Sequence, residues 1–201
     1  MSPMSVYDYK IRKLTDLKRL PEIGRLIHDT FIESGLISTK CKTPVDLYPH
    51  LNFIKETTIL TVELNGKIIG TNSMTLDGPA GLHTDYYFKE ETDFIRKTKN
   101  TVLGSSWRIA TSHEYRNHIK LFLDLIQQSF FIAKEKQIET CLFVFAEKHE
   151  AFYKKMLDAE TIAKKKYTKF PYNNVTFVLM KTNTENSQKH LSELFTRRKF
   201  Y

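Results

Sequence analysis

The sequence has few of the residues that staple, stiffen or anchor a chain. Its 201 residues hold two cysteines, Cys41 and Cys141, too few and too far apart for a disulfide framework. Cys141 stands in the apolar run Cys-Leu-Phe-Val-Phe and reads as a buried thiol. Two such thiols suit a reducing cytoplasm. Seven glycines and six prolines exclude collagen-like and linker-dominated chains. No apolar run approaches the roughly 20 residues of a membrane span. Residues 1–13 carry no apolar stretch ended by small residues, and Arg197-Arg198-Lys199-Phe200-Tyr201 is no prenylation box. The expected compartment is therefore the cytoplasm, with no membrane span. Only the basic tail offers a peripheral contact. Gly-x-Ser-x-Gly and the phosphate-binding Gly-x-x-x-x-Gly-Lys are both missing. His113 and His118 are five apart and do not share a helix face as a zinc pair would, so no metal is expected.

What is present suits a globular protein: 41% hydrophobic and 27% charged residues can build a core without a staple. Thirty-one Lys and Arg against 23 Asp and Glu give +8, which favours an acidic partner. The run Lys164-Lys165-Lys166 with Lys169 has little aromatic interleaving and no nucleic-acid module around it, so no nucleic acid is expected.

Residues 6–13 alternate apolar and polar and read as a first strand. Helical spacing runs from 17 to 35, with Asp16 as cap and Gly35 as stop. A short helix is expected over 43–53, opened by Thr43 and Pro44. Two strands, 57–64 and 67–76, flank Asn65-Gly66, a two-residue hairpin signal. A helix over 85–97 precedes a strand over 101–111, whose Gly104 suggests a bulge or a close backbone approach. The helix 114–136 leads to 139–146, an apolar run typical of a strand buried on both faces. Strand 101–111, helix 114–136 and strand 139–146 make one right-handed βαβ unit. A helix over 148–157 and strands over 160–168 and 174–182 close the domain. From Asn183 the chain reads as a polar, basic tail with one amphipathic turn at Leu191, Leu194 and Phe195. The organisation is thus one domain over 1–182 and a tail over 183–201.

This order resembles the GCN5-related N-acyltransferase superfamily, and two stretches carry the likeness. One is Asn65-Gly66-Lys67-Ile68-Ile69-Gly70-Thr71. The other is Val144-Phe145-Ala146-Glu147-Lys148-His149-Glu150-Ala151-Phe152-Tyr153. Gly70-Thr71, Asp77, Gly81-Leu82-His83-Thr84-Asp85 and Trp107-Arg108-Ile109-Ala110 are similar to one branch in particular. That branch holds the N-acyl amino acid synthases and their relatives, the acyl-homoserine-lactone (autoinducer) synthases. Two positions depart from its pattern: Ser105 stands where the family has a strand carboxylate, and Trp107 where it has a serine.

The resemblance implies an α/β fold, a central mixed sheet with two splayed parallel strands flanked by helices. It also implies transfer of a fatty acyl group from a thioester to the amine of an amino acid or similar small molecule. No tightly bound cofactor is needed. The donor would be acyl-phosphopantetheine on acyl carrier protein, an acidic partner, or acyl-coenzyme A. The turn after strand 101–111, Ser112-His113-Glu114-Tyr115-Arg116-Asn117-His118-Ile119-Lys120-Leu121, lacks the glycines that let a diphosphate approach backbone N–H groups. That favours the carrier protein. Ile109, Ala110, Thr111 and Phe145 would border the donor, and Arg116 and Lys120 would meet its phosphate. Tyr153 would protonate the departing thiolate, Arg108 would organise the acceptor site, and Ser105 holds the place of the absent carboxylate. Asp46, Asp85 and Trp107 would bind the acceptor. Arg108, an arginine in an apolar strand, needs a partner, and Asp46, Asp77 and Asp85 are the candidates. A coenzyme A-dependent acetyltransferase of a protein or small amine, and a non-catalytic acyl-binding protein, stay open as alternatives.

Overall fold

Residues of high strand propensity build β2 (Thr57–Leu64) and β3 (Lys67–Leu76), each buried along most of its length. The Asn65-Gly66 pair joins them with φ of 53° and 78°, the positive values a tight hairpin turn demands. Around this hairpin the computed structural model forms one seven-stranded sheet of order β1-β2-β3-β4-β5-β7-β6. The other strands are β1 (Lys10–Lys13), β4 (Leu103–Thr111), β5 (Thr140–Ala146), β6 (Glu160–Tyr167) and β7 (Val175–Asn183). All neighbours are antiparallel except β4 and β5. The structure describes residues 8–44, 49–98 and 100–198, the side chains of 195, 197 and 198 apart. Asp46 lies outside the described residues, as does the first part of the strand expected over 6–13.

Among the described residues five helices cover the sheet: α1 (Leu20–Glu33), α2 (Thr84–Thr98), α3 (Ile119–Glu135), α4 (Glu150–Leu157) and α5 (Thr184–Arg198). On one face α2 packs Tyr87, Phe88 and Ile95 against Trp107, Leu142 and Leu179. Beside it α1 packs Ile23 and Ile27 against Ile59 and Ala110. On the other face α3 sets Leu121, Leu125 and Ile132 against Leu60, Val62 and Met74. The alternation of β5, with Leu142 in one cluster and Phe143 in the other, is the period of two that a strand buried on both faces requires.

Five segments differ from the sequence expectation. Within 43–53 the described residues contain only a 3₁₀ segment, Pro49–Phe53. The helices expected from 17, 114 and 148 each begin as a short 3₁₀ turn (Leu17–Arg19, His113–Tyr115, Glu147–His149) before or ahead of the α-helix. The expected polar tail is α5. Its inner face is Thr184, Ser187 and Leu191, all buried and spaced for one side of a helix. Small polar groups make that face, with the Ser187 hydroxyl on the Leu157 carbonyl. A hydrophobic pattern therefore does not reveal it. Among the described residues no helix is long and apolar enough to cross a membrane.

Candidate active site

The parallel pair β4–β5 is joined at three positions only: Leu103 with Thr140, Gly104 with Cys141 and Ser105 with Leu142. Beyond them the strands part, and two features of β4 account for this. At Gly104 the sheet and α3's exit close in: an added Cβ would stand 2.4 Å from Ile138 Cδ1 and 2.9 Å from the Thr75 carbonyl oxygen. Four residues on, β4 carries a bulge. Thr71 opposes Ala110 and Ser73 opposes Trp107, so one β3 residue faces both Arg108 and Ile109. Arg108 takes the left-handed φ of 59° that absorbs the extra residue. The sequence places a bulge or a close approach at Gly104; the structure has the close approach there and the bulge at Arg108.

The bulge decides where Arg108 points. In a regular strand it would face away from Trp107. Here its guanidinium lies 3.9 Å over the Trp107 ring, and its Nη2 donates to Ser73 Oγ at 2.9 Å. Trp107 is fixed in turn by its Nε1 donating to Thr75 Oγ1 at 2.8 Å. His83 stacks on the indole, with ring centroids 6.1 Å apart and planes 19° from parallel. Burial pushes His83 down to about 3; Asp85 opposes the shift and the Arg108 cation adds to it. The imidazole is neutral at physiological pH.

The parted strands open a cleft of about 560 Å³, within the usual range for a small-molecule site. Of the candidate residues it gathers Trp107, Arg108, Ile109, Ala110, Thr111, Arg116, Phe145 and Tyr153. Tyr153 is face-stacked on Phe145, centroids 3.7 Å apart, and burial holds its hydroxyl in the protonated form by raising its pKa. Arg116 Nη2 reaches Glu33 Oε2 at 2.7 Å, and Lys148 Nζ donates to the Ser34 carbonyl at 2.6 Å. The C-terminal end of α1 is thus tied to both lips of the cleft.

Three candidates are placed elsewhere. Ser105 is fully buried at the last paired position and does not line the cleft; its Oγ has no hydrogen-bond partner among the described residues. Lys120 binds Asp124 one turn along α3 at 2.6 Å. Asp85 is spent on structure: its Oδ2 accepts the Leu82 N–H at 2.7 Å, and Arg96 holds it together with Asp77 and Asp93. Asp77 and Asp85 therefore pair with Arg96 rather than with Arg108, because α2 brings Arg96 back over the loop that carries both.

The cleft also contains residues the sequence did not single out: His83, Tyr87, Lys148 and Phe177. His83 lies inside the Gly81–Asp85 stretch, but only the fold sets it against Trp107. His149 also lines the cleft, at the turn into α4, with burial and then Lys148 lowering its pKa.

No curated protein sequence matches the chain. Solved structures do. The N-acyl amino acid synthase FeeM from uncultured soil microbes superposes with a TM-score of 0.71 at 19% identity, over 88% of this chain and 91% of that one. The coenzyme A-dependent acyl-homoserine lactone synthase BjaI gives 0.67 at 13% identity, over 94% and 89%. A GNAT-family acetyltransferase from Streptococcus pneumoniae gives 0.59 at 15%, over 88% and 99%. These likenesses establish the GNAT-like fold. The sequence pattern of the N-acyl amino acid synthase FeeM family matches residues 22–183, most of the described structure, and the chain belongs to that family of acyltransferases.

Proposed function

We propose that the chain transfers an acyl group from a phosphopantetheine thioester on acyl carrier protein to the amine of an amino acid, in the cleft between β4 and β5. The observation that carries this reading is the parting of those strands after Ser105 and Leu142. Each strand keeps its outer neighbour, β3 or β7, so inner-edge N–H and C=O groups are left for an extended pantetheine arm, whose two amides can pair with them. At one side Arg108, held by Ser73 above the Trp107 plane, brings positive charge to the cleft wall, which suits the carboxylate of an amino acid. An amino acid held there presents its amine toward the thioester.

The amine nitrogen attacks the thioester carbonyl as a neutral base. The C–N bond forms, the carbonyl oxygen becomes an oxyanion facing backbone N–H groups, and the C–S bond then breaks. The departing thiolate is protonated through the Tyr153 hydroxyl, which gives up its proton as it takes up the one relayed from the nitrogen, so that no buried tyrosinate is left; burial keeps the hydroxyl protonated between turnovers. The nitrogen's proton leaves through a neutral imidazole on the cleft wall. His149 is the stronger base of the two there, since its pKa is displaced less than that of His83. No carboxylate is required at position 105 for this.

Arg116 and Lys148 at the lips, and the bulky turn that holds Ile119, support a donor with one phosphate over one with a diphosphate. A coenzyme A thioester is the second reading, because a similarly folded synthase is described as coenzyme A-dependent. Purified protein incubated with acyl carrier thioesters, acyl-coenzyme A and pooled amino acids decides between them by mass spectrometry of N-acyl products. Product from the carrier donor, falling as salt rises, is expected. Product from coenzyme A alone selects the second reading, and no product from either donor with folded protein overturns both.

A further inference from the structure

A second, smaller space lies behind the cleft, between the sheet and α3. It measures about 30 Å³ and is lined by apolar groups that include Met74, Ile126, Phe130, Phe143 and Leu157. That is room for about one water-sized group. Phe145 and Tyr153 are the residues common to the walls of both spaces. Their rings lie 8° from parallel with centroids 3.7 Å apart, and Phe143 packs on both. Tyr153 comes from α4 and Phe145 from the β5 stretch that has left β4.

Resting on the acyl-transfer reading above, we propose that the stacked Phe145–Tyr153 pair is the stop that sets the length of the acyl group. The two walls of the cleft differ in chemistry. Arg108, His83 and Trp107 make one suited to the acceptor, while Phe122, Phe145, Phe152 and Tyr153 make one suited to a hydrocarbon. An acyl chain leaving the thioester along the apolar wall meets the stacked rings within the splay. Behind them stand Ile126, Phe130, Phe143 and Leu157 of the buried core, with the small space among them. Short acyl groups fit in front of the stack, and longer ones have nowhere to go. Removing the Phe145 ring would merge the two spaces into one channel running toward Ile126 and Phe130.

Trp107, the single tryptophan of the chain, lines the cleft and reports binding without turnover. Non-hydrolysable acyl-pantetheine thioethers with tails of two to twelve carbons are titrated against its fluorescence. The same tails on carrier thioesters are scored for product. For the wild type both readouts should fall at least tenfold between the short and long ends of the series. Phe145→Ala should move the optimum to longer tails, and Ile126→Phe added to it should move the optimum back. Phe145→Leu, with a smaller shift in the same direction, serves if the alanine variant folds poorly. Equal use of all lengths by the wild type, or an unmoved optimum in every Phe145 variant, overturns the stop. A length limit in binding with no product from any tail upholds the stop while removing the acyl-transfer reading.

Discussion

The same two strands behave in opposite ways along their length. From Leu103 to Ser105, β4 pairs in register with β5; from Ser106 to Thr111 it does not, and the cleft lies there. The closed end is built of close approach: Gly104 with no side chain, Ser105 fully buried, Leu142 fully buried. The open end is built of bulk and of one backbone irregularity, with Trp107 and Arg108 on β4 facing Phe145 and Ala146 on β5. A parallel pair held together everywhere would leave no free edges and no site. One parted everywhere would leave the sheet in two halves. Function in this fold comes from the boundary between the two regimes, and that boundary sits between Gly104 and Arg108.

The largest expected effect comes from the closed end. Gly104→Ala puts a Cβ against Ile138 and, at 2.9 Å, against the Thr75 carbonyl oxygen. The isoleucine can rotate aside, but the backbone carbonyl cannot without disturbing the β3–β4 pairing. A loss of about 3 kcal/mol in urea unfolding is expected. A wild-type midpoint would show that close approach is not what pins the strands. The open end should respond differently. Arg108→Gly relieves a left-handed backbone cost of about 1–2 kcal/mol and gives up a cation–π contact of about 1 kcal/mol. Stability should therefore stay within about 1 kcal/mol of wild type. The acceptor KM should rise at least tenfold, and Arg108→Lys should restore it only in part because the planar fork is lost. A large loss of stability with an unchanged KM would instead make Arg108 a structural residue.

The contrast also separates what the sequence could say from what it could not. Periodicity and the Asn65-Gly66 turn mark every strand of the sheet, and the apolar run 141–145 marks β5 as central. Gly104 is readable as an interruption in a strand. The bulge at Arg108 is not, since an arginine with positive φ has no sequence signature and simple alternation points it the wrong way. Charge pairing is equally hidden. Asp77 and Asp85 look available to Arg108 until α2 returns Arg96 between them. His83 is close to Trp107 only because the loop before α2 folds over the same face of the sheet. The helix α5 goes unseen because its packing face is threonine and serine as much as leucine.

The smallest effect concerns the support of the open end. Glu150, at the first turn of α4, binds Lys154 at 2.8 Å and Lys164 of β6 at 2.6 Å, and accepts from Thr161 Oγ1 at 2.6 Å. These bonds moor to β6 the helix that carries Tyr153. Lys154 first, then Lys164 and Thr161, pull the Glu150 carboxyl down to about 2 from 4.5. A folded pKa below the unfolded one gives stability that is complete above about 4.5 and is lost as pH falls toward 2. Glu150→Gln should thus be less stable than wild type at pH 7, by about 1 kcal/mol for so partly exposed a cluster. The two thermal midpoints should converge as the pH is lowered through that window. A gap that persists at pH 2, or that widens there, would mean the mooring is steric rather than ionic, and α4 would then owe its position to packing, the Phe145–Tyr153 stack and Leu157 included.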